Sequence, residues 1–153
     1  MPRIVVETLI DASREEVFNL ARNIDFHTKS AAHTKEKAIA GKVSGLIELG
    51  ESVTWKARHF GVWQTLESKI TEFDFPNSFV DEMQRGAFKS FKHIHIFEEE
   101  NGQTKMIDVF EYVSPCGLLG KLADILFLKS YMIKFLTRRN EIMKDEIENN
   151  IMS

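Results

Sequence analysis

The sequence holds one cysteine, Cys116, and three prolines, and no long stretch of it is apolar without a charge. A lone cysteine makes no internal disulfide, so the fold rests on its core and the chain fits a reducing compartment; we expect a cytoplasmic protein. Cys116 lies between Pro115 and Gly117 with no acid or base beside it, which favours a structural thiol over a nucleophile. Neither sign of charge dominates: 20 Lys and Arg face 23 Asp and Glu, with no long block of either. The positive field of an electrostatic nucleic-acid binder is therefore absent, and no nucleic acid is expected as a partner.

The first residues, MPRIVVETLIDAS, carry Glu7 and Asp11 where a signal peptide keeps a continuous apolar region, so secretion is not supported. The most apolar stretch, residues 117–136, is interrupted by Lys121, Asp124, Lys129 and Lys134. A membrane-spanning helix would desolvate those charges at a cost of several kcal/mol in all, so no stable membrane insertion is expected. What the chain does have is 153 residues with 43% apolar content, enough for one domain over 1–153 with a sizeable core.

Residues 3–10, RIVVETLI, read as a strand, and Ser13 and Glu16 have the spacing of a capping box. The helix they open carries Val17, Phe18, Leu20, Ala21 and Ile24 and is expected to end near Asn23 to Asp25. Residues 26–38 are polar and allow only a second short helix or an irregular segment. After Gly41, glycines and the pairs Pro76-Asn77 and Asn101-Gly102 punctuate runs rich in Thr, Val, Ile, Phe and Trp, the pattern of five or six consecutive antiparallel strands. Asn101-Gly102 is the strongest hairpin signal, because both central positions of the favoured tight turn need positive φ. From Gly117 to about Asn149 apolar residues recur at spacings of three and four, giving one long amphipathic helix. A curved antiparallel sheet folded round that helix suits the order, since the sheet alone would leave one apolar face wet.

Motifs along this order are more specific. They are Gly45 to Trp55 (GLIELGESVTW), Ala57 to Gly61 (ARHFG), Phe79 to Glu82 (FVDE), Gly86-Ala87-Phe88, His93 to Phe97 (HIHIF) and Thr104 to Asp108 (TKMID). Together they resemble the START-like superfamily, also called SRPBCC, in its bacterial ligand-binding branch related to polyketide cyclases or dehydrases and lipid-transport proteins. The resemblance covers nearly the whole chain. It departs at Ala87, where that branch often has proline, and at Ser114-Pro115-Cys116-Gly117, where a Leu-Pro-Leu-Gly-like turn is common. It implies the α+β helix-grip fold of the birch pollen allergen, with one or two short helices after the first strand. It also implies a cavity between sheet and C-terminal helix for an apolar or amphipathic molecule. It implies no single chemistry, so function has to be argued from the site.

Strand alternation puts Phe91, His93, His95 and Phe97 on one face, opposite Lys92, Ile94, Ile96 and Glu98, and the aromatic pair marks the first face as interior. A two-residue turn at Asn101-Gly102 pairs His95 with Asp108, Phe97 with Met106, His93 with Phe110 and Phe91 with Tyr112. Cross-strand neighbours stand about 4.5–5.5 Å apart at Cβ, within reach of a His95–Asp108 hydrogen bond. The same alternation offers Trp55, Gln64, Leu66, Phe79 and Asp81 as further cavity lining, and Leu122, Leu126, Leu128, Met132 and Phe135 as the facing helix wall.

Three kinds of site suit these residues. His93-Ile94-His95 can offer two imidazoles to zinc with Asp108 or Asp81 as a further ligand. The chain lacks Cys-x-x-Cys, His-Glu-x-x-His and a second close histidine pair, so no metal or other cofactor is expected. An enzyme would use His95 as acid or base oriented by Asp108, in a dehydration or cyclisation of a carbonyl compound. A binding protein needs only apolar walls and a few polar anchors, and this is the preferred expectation. A monomer or homodimer fits either reading; the charged helix segment from Arg138 to Glu148 is expected to be a solvated face.

Overall fold

The computed structural model describes residues 2–59, 61–114 and 127–152. β1 (Arg3–Ile10) leads into two short helices, α1 (Arg14–Ala21) and α2 (Ile24–Ser30), and a 3-10 turn at Ala32–Thr34. Six strands follow: β2 (Lys37–Gly41), β3 (Ser52–His59), β4 (Val62–Asp74), β5 (Ser78–Arg85), β6 (Ser90–Glu100) and β7 (Gln103–Val113). A helix, α3 (Lys129–Met152), ends the described chain.

Local chemistry sets these boundaries. Ser13 Oγ accepts the Glu16 N–H at 3.2 Å and starts α1, while Asn23 Oδ1 accepts the Phe26 N–H at 3.0 Å and starts α2. That second cap is why α1 stops at Ala21, earlier than its apolar pattern suggests. The polar segment 26–38 resolves into most of α2, the 3-10 turn and the first residues of β2. Asn101 and Gly102 take φ of 52° and 82°, the left-handed pair that closes the β6–β7 hairpin in the expected register.

The strands form one antiparallel sheet in the order β1-β7-β6-β5-β4-β3-β2. Register shifts in the β4–β5 ladder, at Glu67/Ser68 and Ile70/Glu72, add Gln84 to β5 and Thr71 to β4 and bend the sheet. α3 packs against the concave face through Leu136, Met143 and Ile147, all buried. One end of the core centres on Phe18, whose ring meets those of Phe73, Phe75, Phe79 and Phe97 at centroid distances of 5.0–5.3 Å. A second cluster groups Ile4, Phe91, Phe110, Tyr112 and Leu136. The cavity-wall candidates Leu122 and Leu126, with Cys116 and the first part of the expected closing helix, lie outside the described residues. Among the described residues no helix is long and apolar enough to cross a membrane.

Candidate functional site

Between sheet and helix lies a cavity of about 340 Å³. β3 contributes Val53, Trp55 and Ala57; β4 contributes Gln64, Leu66, Ser68 and Ile70; α3 and the residue before it contribute Leu128, Met132, Phe135, Leu136 and Arg139. Their spacing explains the assignment: every second residue of a strand faces one way, and every third or fourth of a helix. The walls are largely aromatic and aliphatic. Trp55, Gln64, Leu66, Phe79, Asp81, Phe91, His93, His95, Phe110 and Met132, all selected from the sequence, line the cavity together.

Three selected residues do not. Phe97 and Tyr112 face inward but are consumed by packing, at 2% and 0% exposure, and Asp108 is enclosed behind the cavity wall at 0%. A residue on the interior face reaches a cavity only where α3 stands off the sheet, and alternation carries no information about that spacing.

The hydrogen bonding also departs from expectation. His95 does stand opposite Asp108 in the β6–β7 ladder, and His93 stands opposite Asp81 in the β5–β6 ladder. The short bonds nevertheless run diagonally, from His95 Nε2 to Asp81 Oδ1 at 2.7 Å and from His93 Nε2 to Asp108 Oδ1 at 2.7 Å. His95 Nδ1 keeps a looser 3.4 Å ion-pair contact with Asp108 Oδ1. Stacking enforces the diagonal arrangement. Phe79, directly across from His95, lies parallel to its ring at 4.1 Å, and the two imidazoles stack at 3.8 Å. The ring edges are thereby turned toward neighbours one rung away.

Asp108 is held from the helix side as well. Arg139 Nη2 donates to its Oδ1 at 3.1 Å and Asn140 Nδ2 to its Oδ2 at 2.6 Å. Arg139 thus does not belong to a solvated charged face, as its segment suggested; it is 7% exposed and lines the cavity. A signal was present in the sequence, because Leu136, Met143 and Ile147 form a helical stripe into which Arg139 and Asn140 fall.

These contacts divide the charges. Burial opposes the charged form of Asp108, but the hydrogen bond from His93, the close approach of His95 and the charge of Arg139 hold its carboxyl well below the usual range. Asp81 is lowered likewise, mainly by His95 against the cost of burial. Burial and the charge of His95 push His93 down to about 4. His95 is driven down by burial but raised overall by the carboxylates of Asp108 and Asp81. The arrangement thus favours the carboxylate forms of Asp81 and Asp108 and the neutral ring of His93, and holds the His95 cation better than a free imidazole does.

A second polar group of the cavity went unread in the sequence. His27 Nε2 bonds Glu36 Oε1 at 2.6 Å, and the His27 ring lies 4.4 Å from that of Trp55. His59 Nδ1 is hydrogen-bonded to the Tyr131 hydroxyl. His27, Glu36, His59 and Tyr131 all line the cavity. They come from α2, the approach to β2, the end of β3 and the start of α3, so no local motif marks them.

Asp81, His93 and His95 also form a set of possible metal donors, one atom from each lying within 4.8 Å of the others. As the third donor the structure selects Asp81, which lines the cavity, over Asp108, which sits behind the histidines.

No protein-family model matches the chain. No curated protein matches it in sequence. Solved structures do match in shape. The TTHA0849 protein of Thermus thermophilus superposes with a TM-score of 0.73 at 19% identity, covering 93% of this chain and 97% of that one. The SA2116 protein of Staphylococcus aureus, described as of unknown function, gives 0.75 at 14%, covering 99% and 96%. The major latex-like protein 151 of Panax ginseng gives 0.70 at 12%, covering 95% and 96%. At these identities the likeness speaks of architecture: the chain has the α+β helix-grip fold of START-like, birch-pollen-allergen-like domains.

Proposed function

We propose that the protein binds an apolar or amphipathic small molecule in the cavity between sheet and α3. The carrying observation is a 340 Å³ space walled by Trp55, Leu66, Phe79, Phe91, Phe110, Met132 and Phe135, with two clusters of polar side chains besides Gln64 and Ser68. Apolar walls with a few convergent polar groups are the ordinary composition of ligand sites, and the volume falls within their usual range. Affinity comes from buried ligand area at about 25 cal/mol per Å². Asp81, His93, His95 and Arg139 at one cluster, and His27, Glu36, His59 and Tyr131 at the other, select which polar groups the ligand carries. The protein is a monomer or homodimer working in the cytoplasm, a reading supported by the single cysteine and the balanced charge.

Titration with an environment-sensitive apolar dye tests this. Saturable uptake of one dye per chain, competed by long-chain amphiphiles and weakened in Trp55→Ala, is the expected result; uptake unchanged by Trp55→Ala contradicts it.

One observation favours a second reading. Asp81 and His95 share a 2.7 Å hydrogen bond, and both line the cavity. Such a pair can pass a proton to or from a carbonyl compound held there, as a dehydration or cyclisation requires. The acid–base pair is then His95 with Asp81, while Asp108 orients the imidazoles from behind. A turnover lost in His95→Phe with ligand uptake intact establishes catalysis; a changed ligand preference without turnover leaves the binding reading in place.

A further inference from the structure

The His93-Ile94-His95 stretch does more than anchor a polar ligand group. We propose that Asp81 Oδ1, His93 Nδ1 and His95 Nε2 form a three-donor site for a divalent transition-metal ion, open on its cavity side. Three independent features of geometry carry this.

The first is donor placement. His95 Nε2 lies 2.7 Å and His93 Nδ1 4.0 Å from Asp81 Oδ1. Tetrahedral zinc, with bonds of about 2.0–2.1 Å to nitrogen and oxygen, needs donors about 3.3 Å apart. The two observed separations bracket that value; the remaining pair, His93 Nδ1 and His95 Nε2, lies on stacked rings with centroids 3.8 Å apart, so binding has to tilt the two rings toward one another as the Asp81 carboxyl turns. Metal binding replaces one proton: the ion takes the position between His95 Nε2 and Asp81 Oδ1 that a hydrogen occupies in the metal-free pair.

The second is what stands behind the donors. A metal-bound histidine usually gives its other ring nitrogen to a carboxylate or carbonyl, which fixes tautomer and orientation. Here one carboxylate serves both rings. Asp108 Oδ1 is 2.7 Å from His93 Nε2 and 3.4 Å from His95 Nδ1, and Arg139 and Asn140 immobilise it from α3. His93 therefore turns Nδ1, and His95 turns Nε2, toward Asp81. His95 Nδ1 has no hydrogen-bond partner among the described residues.

The third is access. Asp108 is wholly enclosed, whereas the Asp81 side chain is 18% exposed and lines the cavity with both histidines. An ion held there keeps at least one coordination position toward the cavity, where water or an oxygen of the bound molecule completes it. Two imidazoles and one carboxylate suit zinc, iron(II) and their first-row neighbours better than calcium or magnesium, which prefer all-oxygen ligands.

Sequence motifs alone argue against this site because the chain has no Cys-x-x-Cys, no His-Glu-x-x-His and no second close histidine pair, and they leave Asp81 and Asp108 equally open as the third donor. The β5–β6 register places Asp81 across from His93 and supplies it.

The test uses full-length protein stripped with a chelator and titrated with Zn²⁺ against a chromophoric competitor. One ion per chain, bound at about 1 µM or tighter, is expected. Asp81→Asn and His95→Phe should each weaken binding at least about tenfold, and Asp108→Asn about 10- to 100-fold, as the loss of an orienting partner does. His33→Gln, outside the cavity wall, should leave binding unchanged. Binding absent from the wild type, insensitive to Asp81→Asn and His95→Phe, or lost in Glu36→Gln overturns the proposal. Should a variant fail to fold, ¹⁵N-imidazole NMR of the zinc-loaded wild type decides instead. Metallation at His93 Nδ1 and His95 Nε2 supports the site, and perturbation confined to His27, His33 or His59 refutes it.

Discussion

His95 stands directly across the β6–β7 ladder from Asp108 but gives its short hydrogen bond to Asp81, one rung away on the other side. His93 does the converse, standing across from Asp81 and bonding Asp108. The crossed pairs join three strands into one polar unit, and Arg139 and Asn140 tie that unit to α3. Asp108 is its hub: it receives side chains from β6 and α3 while wholly excluded from water.

Removing the hub charge leaves Arg139 buried without its partner. Asp108→Asn is expected to lower unfolding free energy by about 3–5 kcal/mol, the usual cost of breaking one side of a buried ion pair. Adding Arg139→Met should recover much of the loss, since the orphaned charge disappears. Urea denaturation of the single and double variants measures both.

The pH dependence of the metal-free protein should have two limbs, within a field set by Asp81, Asp108 and Arg139. His93 is depressed to about 4 in the fold, so its stabilisation is present above the unfolded value of 6.5 and is lost as pH falls from there through 4. His33 and His59 are also lowered, chiefly by burial, and act in the same direction. His95 is raised in the fold, so its contribution is complete below 6.5 and is lost as pH rises through its folded value. Thermal unfolding in the presence of a chelator should therefore show a maximum near pH 6.5. His95→Phe should remove the fall on the alkaline side of it.

Ala57 is 5% exposed and faces the cavity from β3. Ala57→Leu places three more carbons on the cavity side of β3, so it should cost no more than the about 1–3 kcal/mol of an overpacked site and weaken apolar ligands. Dye titration with parallel thermal melts separates the two effects. A variant that binds as well as the wild type would show that the ligand does not occupy this part of the cavity.

The helix cap offers a local check. Ser13→Ala removes the bond to the Glu16 N–H and should cost about 1 kcal/mol without altering ligand binding. Equilibrium denaturation and dye titration measure the two quantities.

Much of the fold was legible because its determinants are local. Asn101-Gly102 forces a tight turn, the turn fixes the β6–β7 register, and the register fixes the interior face of β6. The candidate site was legible only where it follows from that register. Strand alternation identified His93, His95, Asp81 and Phe79 as lining residues but could not say which histidine bonds which carboxylate. Ring stacking against Phe79 decides that, and it depends on three strands at once. Arg139 was obscured by the charges around it, although its place in the Leu136, Met143 and Ile147 stripe marks it as inward. Glu36 and His27 were obscured because their segment is polar and short of periodic pattern, and its burial comes from β3 and α3 folding over it.

Native mass spectrometry of the protein purified from its own host tests the central claim most directly. The account predicts a non-covalent organic adduct, one per folded chain, that dissociates to leave the chain intact and is depleted in Ala57→Leu. A folded chain that carries no organic adduct and also takes up no apolar dye in solution would contradict it.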